Sequence, residues 1–511
     1  MGMASSAPLF PPTPPSGLDW PAGCPVDPRR VVVLREGAPR PRGRYVLYFC
    51  QVQKRAEWHP GLDYAAAQAD ALGVPLVVYE GLRPDYPHAS WRHHRFILDG
   101  TRQLGERLAA RGIAHYFYLQ PADAPRRRIV QELGAAAALV VTDDYPAFIV
   151  PGHNRAVAAQ LDCPLHAVDA SGIAPLRAFP PCVAAFSLRP KLRALLPALL
   201  AQPDPRLVPR RDSLELKLKL PPGLVRGDSL PDDADELDRL VVAAGLRGGA
   251  LAIRPAPGVR GGRRAGLVRL QRFIQHNLRG YADGRNRADH DVTSNLSPYL
   301  HYGMLSPVEI AHAVRAASRE GDGNVEAFLE ELLVRRELGL NFCHHQPAHR
   351  SLSALPAWAQ ENLARHAADP RRTTYDLPTL ERAATGDPLW NAVQAELVER
   401  GEPHGYLRML WGKKIIEWAP TYEQALEWMI LLNDRYAYDG RDAVSYANFL
   451  WCFGLHDRPF PRRPVFGVMR PMSSASTGRK AHGDGYIARI RDEVREAREQ
   501  ARRRDSLPGL A

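Results

Sequence analysis

Cysteine is sparse and unpaired in this chain. The six thiols, Cys24, Cys50, Cys163, Cys182, Cys343 and Cys452, include no Cys-x-x-Cys pair and no regular spacing, which argues against a disulfide framework or a zinc module and fits a reducing cytosol. The run Cys343-His344-His345 is expected to pack in a core, because adjacent helical residues point in different directions; no metal is expected. Long apolar runs are also missing. No stretch reaches the roughly 18 residues that mark a membrane span, and the start lacks the basic n-region and apolar run of an export signal. A soluble, unexported, cytoplasmic chain follows, associated with the nucleoid if bacterial. The opening Met1–Ser6 fits a myristoylation pattern too short to carry weight. Internal repeats are absent.

What is present is length and positive charge. At 511 residues the chain is too long for one ordinary core, so two or more domains are expected. Apolar residues at 45% and charged residues at 24% are the composition of a globular protein. The 67 Lys+Arg against 56 Asp+Glu leave a net charge of +11, which attracts a polyanion, nucleic acid first. A generally Arg-rich composition explains the charge equally well, so charge needs a site beside it.

Residues 1–30, dense in Pro, Ser and Gly, read as a disordered tail. Over 31–172, apolar runs at 44–50, 75–81, 114–119, 138–144 and 165–170 alternate with helical patterns at 61–73, 92–112, 124–137 and 152–161. That rhythm predicts an α/β domain with a doubly wound, mostly parallel sheet, a fold that binds ligands beyond the carboxyl ends of its strands. The rhythm stops over 173–264, an interdomain connector whose Gly258–Arg264 run reads as a flexible linker. From 265 to 490 only helical periods remain, starting with Leu267, Leu270, Ile274, Leu278 and Tyr281, so the second domain is all-α. Residues 491–511 form a charged C-terminal tail, within a solvated helix over Ile487–Arg504.

Three helical-domain segments bear on chemistry. In Thr293–Leu300, Ser297 suits an N-cap and Pro298 a first helical residue, and a hydroxyl-lined helix N-terminus suits a phosphate. Along Arg408–Trp418 the 3.6-residue period puts Arg408, Trp411, Ile415 and Trp418 on one stripe, the two indoles about 10 Å apart along the axis; taken alone, such a stripe is core packing. Thr421 and Gln424 form a capping box for a helix to about Leu432, followed by Asn433-Asp434 and the turn Asp439–Asp442. Then come Tyr446, Phe449, Trp451 and Phe453, and His456–Phe460.

Taken together with Ala89–Gly100 (ASWRHHRFILDG), Ser187–Lys191 (SLRPK) and Phe328–Cys343 (FLEELLVRRELGLNFC), the Thr293–Leu300 and Gly405–Asp442 segments stand in the order and near the spacings of class II cyclobutane pyrimidine dimer photolyases. The resemblance spans about 44 to 487. It implies a flavoprotein, FAD folded into a U in the all-α domain, and light-driven electron transfer from reduced, anionic FAD to a flipped-out pyrimidine dimer in DNA. A second antenna chromophore of unspecified identity is compatible with it, and a monomer is expected. By resemblance, Tyr281 and Thr293, Ser294, Asn295, Leu296 and Ser297 hold the ribityl and phosphate groups, Arg408 and Asp439 form an ion pair beside the isoalloxazine, and Asn433 faces its N5. Glu331 contacts the dimer, Trp451 packs on it, and Arg458 fills the hole left in the duplex. Trp411 and Trp418 match an internal electron relay, with Trp390 and Tyr375 in its branch.

The chain departs from the family in three places. Phe460 stands where Trp is common, Leu455 lies in a stretch usually richer in Gly, and Gly412 replaces an Ala, which should weaken its helix slightly. Two rivals share the fold, a cryptochrome-like photoreceptor and a (6-4) photolyase; the Arg408–Asp442 pattern speaks against both. A non-catalytic basic nucleic-acid-binding protein explains the charge but leaves the ordered motif series without a reason.

Overall fold

The apolar runs between Tyr45 and Val168 become a sheet in the computed structural model of the chain, which describes residues 18–246, 252–290, 292–319 and 321–505. Seven strands, β1 Val31–Arg35, β2 Tyr45–Cys50, β3 Leu76–Leu82, β4 Ala114–Leu119, β5 Ala137–Asp143, β6 Leu165–Val168 and β7 Val225–Arg226, lie in the order β1-β6-β5-β2-β3-β4-β7. The five inner strands run parallel, and the edge strands β1 and β7 run antiparallel to their neighbours. Every residue of β2 is buried, as a parallel strand covered on both faces requires. The covering helices are α1 Pro60–Leu72, α2 Trp91–Ala109, α3 Ile129–Gly134 and α4 Val150–Gln160. Thus the βαβ expectation holds, although the helix expected over 124–137 shrinks to α3 because β5 begins at Ala137.

The rest of the chain is largely helical. It comprises α5 Ala185–Ala201, α6 Ala234–Ala243, α7 Gly262–Arg272, α8 Tyr281–Gly284, α9 Ser297–His301, α10 Pro307–Ala316, α11 Gly323–Leu329, α12 Arg336–His345, α13 Ala357–His366 and α14 Leu377–Glu381. After these come α15 Pro388–Arg400, α16 Gly405–Trp418, α17 Tyr422–Tyr436, α18 Ala443–Cys452, α19 Ser474–Ala481 and α20 Gly483–Asp505. One core, built on α15 to α18, encloses Trp390, Trp411 and Trp418. Another joins α2 to α5, α6, α7, α10 and α11 across the boundary between the halves. Among the described residues no helix is long and apolar enough to cross a membrane.

Several expectations give way here. Residues 1–17 of the expected tail lie outside the described residues, but 18–30 pack: the Trp20 ring lies 5.4 Å from Tyr64, and buried Arg30 donates to the Ile173 carbonyl at 2.6 Å. The connector is built of α5, α6 and β7 and is held to α2, where the Trp91 indole donates to Asp238 at 2.8 Å and Arg95 pairs with Asp238 at 3.2 Å. At the C-terminus, α20 buries Tyr486, Ile490 and Val494 instead of standing free in solvent, and 506–511 lie outside the described residues. Cys343 is buried and its thiol donates to the Ala443 carbonyl at 3.4 Å.

The Gly258–Arg264 run is the clearest correction. It is a close approach rather than a slack linker: the Gly261 N–H donates to Asp99 Oδ2 at 2.9 Å, and Gly262, with φ +86°, starts α7 against α2. A Cβ on Gly261 would overlap the Phe96 carbonyl of α2. Gly261→Ala is therefore expected to lower stability by about 2 kcal/mol or more, as overpacking against backbone does. Thermal unfolding checks this, and an unchanged midpoint would show that the α2–α7 contact has slack.

Candidate functional site

Helix α16 carries the expected stripe, but a second helix completes it. Trp411 and Trp418 are buried, and Trp390 of α15, wholly buried, enters between the turns that bear them. Its indole donates to the Trp411 carbonyl at 3.0 Å, and its ring lies 5.3 Å from Trp418. Half-buried Tyr375 meets Trp418 edge-on at 5.1 Å, and its hydroxyl accepts from the Gly386 N–H at 2.8 Å. The Trp390, Trp418 and Tyr375 rings thus pack in series toward the surface, and Trp390 reaches the Trp411 main chain at the inner end. Gly412 has a use beyond helix propensity: a Cβ there would sit 2.8 Å from Cys452 Sγ, so its absence lets α16 and α18 approach.

At the other end of the stripe, Arg408 Nη2 donates to Asp439 Oδ1 at 2.9 Å, the ion pair expected by resemblance, and Arg408 Nε donates to the Pro403 carbonyl at 3.2 Å. Thr421 caps α17 by accepting from the Gln424 N–H at 3.1 Å. The helix does not stop near Leu432, however; it runs to Tyr436 and keeps Asn433 and Asp434 buried in its last turns. Asp434 accepts from the Arg441 N–H at 2.7 Å and from the Tyr446 hydroxyl at 2.8 Å. The turn that follows packs onto α17 at Gly440, where a Cβ would sit 2.7 Å from the Asn433 carbonyl. Among the described residues the Asn433 amide makes one long side-chain contact, Nδ2 to Asp434 Oδ1 at 3.4 Å. That leaves it hydrogen-bonding capacity for a ligand.

The phosphate-type cap is formed differently from expectation. Helix α9 starts at Ser297 with Leu296 as its cap and no capping side-chain bond, because Pro298 enters at its second position and Ser297 is exposed. Five residues also give α9 little dipole. The preceding segment is nonetheless fixed: Asn295 has φ +50°, Thr293 Oγ1 donates to Asn295 Oδ1 at 3.1 Å, and Arg269 donates to the Asn295 carbonyl at 3.0 Å. Arg269 also pairs with Glu402 at 3.1 Å, next to Pro403, the acceptor for Arg408. Half-buried Ser294 lies in the same segment. Tyr281 packs edge-on to Phe328 at 5.4 Å, and burial pushes its hydroxyl up to about 12.

Glu331 lies in a π-helical turn, Glu330–Arg335, where it pairs with Arg285 at 2.6 Å. Its neighbour Glu330 pairs with Arg189 of α5 at 2.7 Å, a hydrogen bond that lowers the carboxyl's pKa. Half-buried Trp451 has the Arg335 guanidinium 5.4 Å above its ring and His456 edge-on at 6.2 Å. Beyond it, Arg458 is exposed, and the Phe460 ring lies between Arg458 and Arg470, at 6.0 and 5.9 Å. Arg462 and Arg463 are exposed on the same loop, a cationic and aromatic rim of the kind that meets nucleic acid.

Sequence reasoning passed over several partners that helical spacing could have supplied. Gln394, one turn beyond Trp390 on α15, accepts from the Trp411 indole at 2.8 Å. Arg285 is one turn beyond Tyr281, and Arg335 one turn beyond Glu331. Lys413 left no such signal: it is buried, and its ammonium donates to the Cys452 carbonyl at 2.5 Å, capping α18 just before the loop that bears Arg458. Burial brings that amine down to about 8.

No family model matches the chain. Curated relatives do. A protein named deoxyribodipyrimidine photo-lyase from Methanothermobacter thermautotrophicus is 36% identical over 470 residues, covering 90% of this chain and 98% of that protein. One of the same name from Arabidopsis thaliana is 33% identical, covering 94% and 96%. Solved structures share the fold at lower identity. A class III photolyase from Agrobacterium tumefaciens superposes with a TM-score of 0.63 at 17% identity, covering 88% of this chain and 86% of that one. A cryptochrome from Synechocystis gives 0.62 at 16%, covering 89% of each, and a photolyase from Sulfolobus tokodaii described with two FAD molecules gives 0.60 at 16%, covering 86% and 89%.

Proposed function

Because the chain belongs to the deoxyribodipyrimidine photo-lyase family, enzymes of light-dependent DNA repair with a flavin cofactor, we propose that its lesion is the cyclobutane pyrimidine dimer and its active cofactor a reduced, anionic FAD in the helical half. The observation that carries this reading is the packed series of oxidisable rings Tyr375, Trp418 and Trp390, whose inner member bonds the main chain at Trp411, on the helix whose Arg408 is paired with Asp439. The Trp390 and Trp411 indole N–H groups are satisfied, by the Trp411 carbonyl and by Gln394, which fixes the orientation of both rings.

In this proposal Tyr281 and the Thr293–Ser297 segment hold the ribityl and phosphate part of FAD, while Asn433, Arg408 and Asp439 hold the ring. The donor set suits such a group, with a fixed guanidinium, an amide with capacity to spare and a backbone segment pinned by Arg269. A reduced flavin held by these residues would supply, on excitation by light, the single electron that opening the two ring bonds of the dimer requires and that returns once they are open. Arg408 favours the anionic form of a neighbouring ring by Coulomb attraction, and Asp439 keeps the guanidinium in place. Glu331 stands on the dimer side, where its carboxyl stabilises the added charge by hydrogen bonding; a dimer entering the site takes over the place Arg285 now holds. Trp451 offers the flipped bases a stacking face, and Arg458, with Phe460 beside it, fills the duplex behind them. Trp411, Trp390, Trp418 and Tyr375 pass electrons inward to restore an oxidised cofactor.

Two outcomes test these roles. Glu331→Ala is expected to lower repair per absorbed photon about tenfold, the worth of one hydrogen bond to a charged group, with FAD content nearly unchanged; purification without FAD would move Glu331 to the cofactor side. Trp411→Phe keeps most of the apolar contact but removes the easily oxidised indole. Light should then no longer reduce bound FAD efficiently with a thiol as donor, while repair by chemically reduced protein survives. Normal photoreduction per bound flavin would reject the relay.

A further inference from the structure

Two large apolar side chains stand in solvent at the start of α5. Phe186 is 70% exposed and Val183 68% exposed, and leaving such groups in water forgoes the free energy their burial would give. The exposure is not slack. Asn341 accepts from the Cys182 N–H at 2.9 Å and donates to the Pro180 carbonyl at 3.1 Å, His345 donates to the Phe179 carbonyl at 2.9 Å, and His456 Nδ1 donates to the Val183 carbonyl at 2.6 Å. Four bonds therefore hold residues 179–183 in place and set the apolar tip outward.

The charge around the tip favours one kind of partner. Pro190 and Arg193, one and two turns along α5 from Phe186, are exposed, as is Lys191 between them. Arg189 is bound to Glu330, so Lys191 and Arg193 are the cations left facing outward on this turn. The patch also continues into the site described above: His456, which holds Val183, lies against Trp451, and Arg335 lies between Trp451 and Glu330, 3.6 Å from the latter.

We propose that this tip is a second contact with duplex DNA, in which Phe186, supported by Val183, enters a base step next to the dimer while Lys191 and Arg193 bind phosphates of the same duplex. Apolar wedges of this kind unstack and bend a duplex, and a bent duplex gives up a damaged, poorly stacked pair more readily. The proposal rests on the reading of the chain as a dimer-binding enzyme and adds to it a wedge that Arg458 does not supply.

The test is the binding of full-length, FAD-containing protein to a fluorescent oligonucleotide with one cyclobutane thymine dimer, as a duplex and as a single strand. Phe186→Ser should weaken duplex binding about tenfold and leave single-strand binding and the thermal midpoint nearly unchanged, because the ring is exposed. Lys191→Glu together with Arg193→Glu should flatten the dependence of log affinity on log salt by about two units, one for each lost phosphate contact. Equal duplex binding by Phe186→Ser and wild type would overturn the wedge. So would self-association of the wild type that Phe186→Ser abolishes without loss of duplex affinity, which would give the patch to a second copy. Failure of the wild type to prefer dimer-containing over intact DNA would defeat the reading of the whole chain, and the wedge with it.

Discussion

One buried arginine at the junction of the two halves fixes much of what the site needs. Arg92, on the first turn of α2, donates to the carbonyls of Val398 and Tyr436 at 2.8 Å and of Glu399 at 3.2 Å. These are the closing carbonyls of α15 and α17, so a single guanidinium satisfies orphan acceptors at two helix C-termini and sits at the negative end of both dipoles. Its Nε donates to the Arg254 carbonyl at 2.9 Å, and neighbouring His93 bonds the Ala437 carbonyl at 3.1 Å. Burying a cation is costly unless it is fully hydrogen-bonded, and the main chain of the helical half meets that need.

The consequence reaches the chemistry through those two helices. Helix α15 carries Trp390 and Gln394, which locate the Trp411 indole; α17 carries Asn433 and leads into the turn that gives Asp439 to Arg408. The far side of α2 is equally committed, with Asp99 accepting from Gly261 and Arg260 and Arg95 bridging Asp99 and Asp238. The carboxyl ends of the central strands are closed in the same manner. Asp143 accepts from the N–H groups of Gln51 and Val52, Lys54 pairs with Glu80 at 2.6 Å, and the Lys54 N–H and Arg55 guanidinium reach the Tyr302 and Gly303 carbonyls at 3.1 Å. The end of the sheet is thus a docking face for the helical half.

Much of this was legible in the sequence, and the misses share a cause. The strands from β2 to β6 and their helices followed from apolar periodicity, because covering both faces of a parallel sheet leaves its mark on consecutive residues. The Arg408–Asp439 pair was reached through resemblance, and its geometry agrees. Gly258–Arg264 looks like a linker in sequence because the reason for Gly261 is a carbonyl on Phe96, far away along the chain. Periodicity ends α17 too early because the partners of Asp434, Arg441 and Tyr446, lie beyond the turn and keep an acid in the helix. Local residue types make Ser297 the expected cap, while the backbone starts α9 at Ser297 and places Pro298 one position deeper. Nor could spacing along α16 show that Trp390 touches both the Trp411 carbonyl and the Trp418 ring, since that depends on how α15 packs.

The most direct measurement compares two lesions. Protein carrying chemically reduced FAD is mixed in excess with one oligonucleotide holding a cyclobutane thymine dimer and another holding a (6-4) photoproduct, and restoration of intact thymines is followed in blue light and in darkness. The cyclobutane dimer should be restored in light only, with the (6-4) product untouched. Restoration of the (6-4) product, of neither lesion, or of the dimer in darkness would contradict the assignment.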